Sequence, residues 1–189
     1  MTKYMFQSMA LLPIIALFAC SAHESNSNHT PGGVGDNASL VSINSGVSDC
    51  GGFHAGNRDT IDYCSSELLL WSHNSNSRVL SIAHTRTQLD CCGEHAIDAF
   101  YDPASNTYTV VETDKPRGGD PCRCICVFDL KTEITNVDSA PIELSVLRDR
   151  HDGKEPIVMW AGTLDLPSLT SEMGVEVIST DPMPACSHQ

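Results

Sequence analysis

Basic side chains are scarce in this chain: 11 Lys and Arg stand against 24 Asp and Glu, for a formal net charge of −13. Nucleic acid and anionic lipid headgroups need a basic face, so neither is expected as a partner. Aromatic residues make up only 6% of the sequence. A domain with so little bulky apolar material gains from covalent staples. Long hydrophobic runs are missing too. The one apolar stretch, Ala10 to Ala19, is interrupted by Pro13 and is too short to span a bilayer. No segment keeps a helical period over three turns. Nor is there a G-x-S-x-G elbow, an H-E-x-x-H pair or a phosphate-binding glycine loop, so the reading assigns no reaction and ranks an enzyme third, behind a binding module and a metal-binding protein.

What the chain has is cysteine. There are nine, including a vicinal pair, Cys91-Cys92, and the run Cys122-Arg-Cys124-Ile-Cys126. The run sits in an alternating stretch ending Val127-Phe128-Asp129-Leu130, whose period of two predicts a β-strand. Cys122, Cys124, Cys126, Phe128 and Leu130 then share one face.

The N-terminus reads as an export signal. Lys3 precedes the apolar stretch, which closes on Leu17-Phe18-Ala19-Cys20. That tetrapeptide resembles the lipobox of bacterial lipoproteins, with Phe18 where a smaller residue is usual. The resemblance implies a signal peptide over 1–19 and lipidation at Cys20. With Ser21 rather than Asp next, it also implies sorting to the outer membrane, the protein being held in the cell envelope by its anchor. An ordinary signal peptide cut nearby is the alternative. The region 20–48 is rich in Ser, Asn and Gly and is expected to be a flexible polar tether. The region 49–189 is expected to form a single cysteine-rich β-domain.

Within that domain the strand-like segments are Glu67 to Ser72 and Arg78 to Thr85, with Leu80, Ile82 and His84 on one side. Ala96 to Tyr101 and Thr107 to Thr113 flank the turn-rich Asp102-Pro-Ala-Ser-Asn106 and suit a hairpin. The cysteine strand follows, then Ile142, Leu144 and Val146 in alternation. Asp152-Gly153 signals a turn leading into Ile157 to Leu166. Glu112 and Asp114 read most simply as a solvated strand end. The expected fold is all-β, an antiparallel β-sandwich of the immunoglobulin-like kind stapled by disulfides, with a small β-barrel as the alternative.

Cys50-Gly-Gly-Phe53, Tyr63-Cys64, Cys91-Cys92-Gly93, the Cys122 to Asp129 strand and Gly162-Thr-Leu-Asp-Leu166 together resemble an uncharacterised group of predicted bacterial lipoproteins. The resemblance covers most of the mature chain and implies architecture and compartment, with no activity attached.

With Cys20 set aside, Cys50, Cys64, Cys91, Cys92, Cys122, Cys124, Cys126 and Cys186 are the disulfide candidates. An even count in an oxidising compartment favours bridges, though sequence leaves about 105 connectivities open. Residues i and i+2 of one strand lie roughly 6.6 Å apart, at the limit for a bridge. Each cysteine of the run should therefore reach another element, Cys91 and Cys92 among the targets. The alternative is a copper or zinc site built from Cys91, Cys92, His95, Cys122, Cys124, Cys126 and His84, motivated by the C-x-x-H spacing of Cys92 and His95. The expected role is an interaction module for an unknown protein or small ligand, with the lipid anchor as its membrane contact and no cofactor.

Overall fold

The computed structural model describes residues 32–51, 67–118, 124–166 and 172–179. Ten strands run in chain order: β1 Ser39–Leu40, β2 Ser42–Val47, β3 Glu67–Asn74, β4 Val79–Asp90, β5 Glu94–Asp102, β6 Thr107–Lys115, β7 Ile125–Ile134, β8 Ile142–Asp149, β9 Ile157–Leu164 and β10 Glu172–Ser179. No helix occurs among the described residues. The strands form two five-stranded sheets, ordered β1-β5-β6-β8-β9 and β10-β3-β4-β7-β2. Neither sheet closes on itself, so the molecule is a β-sandwich and not a barrel.

The alternation of side chains decides which face each strand buries. Leu69, Leu80, Ile82, Leu130 and Ile134 from one sheet meet Ile97, Ala99, Val110, Leu144 and Val146 from the other in a single core. Each Leu, Ile and Val among them contributes about 1.5–3 kcal/mol by leaving water. Strand β4 departs from simple alternation. His84 and Thr87 both point inward because a bulge inserts a residue between them, where the register with β7 shifts. Arg86 takes the extra position with a φ of 62°. Its backbone N–H donates to Asp129 Oδ1 at 2.9 Å, so the amide freed from the ladder is satisfied.

The turns follow their residues. Asp102 Oδ1 accepts from the Ala104 amide (2.9 Å) and Asp102 Oδ2 from the Ser105 hydroxyl (3.0 Å), and Asn106 closes the loop at a φ of 54°. This is the hairpin expected between β5 and β6, paired antiparallel from Glu94–Lys115 to Asp102–Thr107.

Four features differ from the sequence reading. Strands β1 and β2 lie inside the stretch expected to be tether. Their polar side chains hid a structural role carried by main-chain pairing with β5 and β7, and by Val41 and Val47, which pack on the core. The sandwich is also not purely antiparallel, since β6 and β8 pair in parallel, with β7 crossing to the other sheet between them. The cysteine strand begins at Ile125, so Cys124 precedes it, while Cys122 falls outside the described residues. Finally, β10 was not anticipated; its Met173, Val175 and Val177 alternate outward, at 79%, 57% and 55% exposure.

Trp71 and Gly174 are directly paired across β3 and β10, and the indole lies over the glycine. A methyl at 174 would overlap the ring. Gly174→Ala is therefore expected to cost about 1–3 kcal/mol in urea unfolding and to shift tryptophan emission to the red. Unchanged stability and emission would show that β10 is not seated as described.

Candidate functional site

The two ends of the sandwich differ in construction. At one end the chain leaves β2, turns between β4 and β5, and enters β7, and here the sulfurs gather. Cys50 bridges Cys126 and Cys91 bridges Cys124, each with Cα atoms 5.6 Å apart. Cys92 is also disulfide-bonded. Bonding of Cys91 to Cys124 excludes a vicinal bridge. Main-chain bonds reinforce the staples: the Cys91 amide donates to Cys124 O (3.2 Å) and the Gly51 amide to Val127 O (2.9 Å). Cys20, Cys64, Cys122 and Cys186 lie outside the described residues.

The residues of the copper or zinc alternative are therefore distributed as follows. Cys91, Cys92, Cys124 and Cys126 are oxidised and offer no thiolate. His95 packs edge-on against Phe128, ring centroids 4.6 Å apart, with Nδ1 4.0 Å from Asp114 Oδ1. Burial favours its neutral form, with Asp114 and Asp90 acting in the opposite sense, so its pKa lies below the usual value. A Cβ at Gly93 would sit 2.8 Å from His95 Cε1 and 3.2 Å from Lys115 O, so a side chain there would have to displace the imidazole. Among the described residues no cluster of three or more His, Cys, Asp or Glu side chains has the geometry of a metal site.

His84 is inward-facing, as its strand parity predicts, and fully buried. It belongs to a charged network that spans both sheets. Its Nδ1 contacts Glu112 Oε1. Its Nε2 lies 2.9 Å from Glu67 Oε1, an ion pair set off the axis of a regular hydrogen bond. Arg148 donates to Glu112 Oε2 through Nε (3.1 Å) and Nη2 (2.9 Å). Arg148 Nη2 also contacts Thr87 Oγ1 and sits 3.3 Å from Glu67 Oε1, to which Thr87 donates at 2.8 Å. Glu112 is thus not a solvated strand end: it is 0% exposed, and Asp114 is buried as well. The signal was present in the sequence. Tyr108, Val110, Glu112 and Asp114 share one parity, as do Ile142, Leu144, Val146 and Arg148.

Burial raises the Glu67 carboxyl pKa, but His84, Arg148 and Thr87 pull it down to about 2 from the usual 4.5. Burial likewise favours a neutral His84, yet Glu112 and Glu67 outweigh it and raise the imidazole from 6.5 to about 9. Glu112 is held below and Arg148 above their ordinary values by the same partners, against the opposing effect of burial. At neutral pH two carboxylates and two cations balance inside the sandwich.

The opposite end is open. The β5–β6 hairpin, the β7–β8 loop and the kink where the chain passes from β1 to β2 enclose a groove of about 550 Å3. Tyr101 and Tyr108, cross-strand partners with ring centroids 4.7 Å apart, form its floor. Asn106, Thr135, Asn136 and Asp138 supply polar groups, while Leu40 and Ile43, at 60% and 42% exposure, line the margin. The sequence reading gave none of these residues a binding role. A second opening, about 580 Å3 on the outer face of the β10 sheet, is lined by Leu70, Ala83, Met173 and Val175 and is mainly apolar.

No protein-family model, curated protein or solved structure matches the chain.

The network makes stability pH-dependent in both directions. A group whose pKa is raised on folding stabilises fully below its unfolded value, so the His84 contribution holds below 6.5 and is lost as pH rises through about 9. The Glu67 contribution holds above 4.5 and is lost as pH falls toward 2. Urea unfolding should be most favourable to the fold between about pH 4.5 and 6.5. The alkaline limb should fall by on the order of 3 kcal/mol. In His84→Gln that limb should vanish and the protein should lose about 3–5 kcal/mol at pH 6. A wild-type curve flat from pH 6 to 9.5 would contradict the network.

Proposed function

We propose that this protein is a lipid-anchored, exported β-sandwich that works as an interaction module, its cysteines structural and its ligand taken at the open end. The observation that carries this reading is the division of labour between the two ends. Disulfides lock one end, whereas the other presents a polar and aromatic groove to solvent. Loops on a rigid scaffold are where binding residues concentrate, and a groove of this size with few convergent polar groups suits a ligand.

The lipobox resemblance supports anchoring, and the acidic balance argues against nucleic acid. Copper or zinc binding would require the bridges to be reduced.

Full-length protein from envelope membranes tests this. Alkylation under denaturing conditions should label no thiol until a reductant is added, and Cys20→Ser should move the protein from the detergent phase to the aqueous phase. Free thiols on most of the cysteines together with retained copper or zinc would replace the reading with a metal-binding one. Aqueous partitioning of the wild type would remove the anchor.

A further inference from the structure

We propose that the groove between the β1–β2 kink and the tyrosine hairpin binds a neutral saccharide, with Tyr101 as its stacking platform; this deepens the interaction-module reading and rests on it. The lining selects the chemistry. A sugar ring has an apolar face of C–H groups and a rim of hydroxyls, and it needs a surface of the same divided character. Tyr101 is half-buried, its ring packed against Tyr108 at 4.7 Å, and its remaining surface at the groove supplies an aromatic contact whose negative quadrupole attracts C–H edges. Asn106, Asn136, Thr135 and Asp138 stand around it with both donors and acceptors. Tyr101 donates its hydroxyl proton to Asn106 Oδ1 at 3.0 Å, which fixes the ring. The amide nitrogens of Asn106 and Asn136 make no hydrogen bond within the described residues, leaving them to donate to a ligand.

Charge argues against ionic small ligands. Among the described residues no Lys or Arg lines the groove, Arg78 at its edge is engaged by Asp138, and the chain is strongly acidic, so phosphates and carboxylates meet little counter-charge. Asp138, the one carboxylate among the described lining residues, is paired with Arg78 at 2.8 Å, which weakens its pull on a cation.

The groove is also built before any ligand arrives. The β7–β8 loop is pinned from beneath by Val137, which is fully buried and whose amide donates to Arg78 O at 3.0 Å. Buried His73 contacts the Val137 carbonyl through Nε2 at 3.2 Å, and Arg78 Nη2 donates to Asn136 O at 3.2 Å. Asn106 and Asn136 hold the left-handed backbone, with φ of 54° and 61°, that their tight turns require. Preorganisation of this kind lowers the cost of binding.

The test is calorimetric titration of the full-length protein, in a sugar-free detergent, with cellotetraose, maltotetraose and tetra-N-acetylchitotetraose. At least one should bind. Tyr101→Ala should weaken that binding about tenfold or more, as for a central aromatic contact, while Tyr101→Phe, which keeps the ring, should bind within about threefold. Met173→Ser, on the outer sheet face, should leave affinity unchanged. Far-ultraviolet circular dichroism of each variant guards against misfolding, and Tyr101→Phe keeps the question open to decision should Tyr101→Ala fail to fold. Binding of none of the three sugars would overturn the proposal, as would sugar binding indifferent to Tyr101. Capture instead of an uncharged apolar nonapeptide, lost in Tyr101→Ala, would overturn the saccharide class while leaving the interaction module in place.

Discussion

Four charged groups from four strands meet inside this sandwich, and the fold is arranged around keeping them balanced. Glu67 and His84 come from one sheet, Glu112 and Arg148 from the other. A carboxylate with no exposed surface costs several kcal/mol unless cations answer it. Here each carboxylate has both a histidine and an arginine within reach. Because side chains alternate along a strand, a one-residue slip in any of the four would turn a charge outward and strand its partners. The network therefore specifies register as well as contributing energy.

Two local devices serve that arrangement. The bulge at Arg86 lets His84 and Thr87 both face inward, so the same strand reaches Glu112 and Arg148. Asp129 satisfies the displaced amide from the neighbouring strand. The parallel pairing of β6 and β8 places Glu112 directly beside Arg148. The chain reaches that pairing by sending β7 through the opposite sheet, and the disulfides to Cys124 and Cys126 fasten the start of that excursion. A modest apolar core is thereby helped by a buried ionic cluster and by cross-links, which free the far end to carry loops of irregular backbone.

Much of the fold was legible from period-two alternation. Leu80, Ile82 and His84 share the inward side of β4, and Cys126, Phe128 and Leu130 share that of β7. The hairpin between β5 and β6 was announced by its Asp-Pro-Ala-Ser-Asn loop. The bulge was not legible, because a single extra residue reverses parity without a compositional mark. Strands β1 and β2 were hidden for a related reason: an edge strand held by main-chain bonds needs few apolar side chains. The charged network was half visible, since Glu112 and Arg148 each continue an inward series, but habit assigns lone charges at strand ends to solvent.

The sequence by itself determined that the chain is all-β, where most strands run and which face of each turns inward, since these depend on local backbone sterics and an alternation of two. Tertiary structure alone decided which sulfurs join, which charges neutralise one another and where a groove opens. Cys50 and Cys126 are 76 residues apart, Cys91 and Cys124 are 33, and Glu112 and Arg148 are 36. Such pairs are chosen by the packing of sheets, where proximity is a property of the whole assembly and no stretch of sequence encodes it locally.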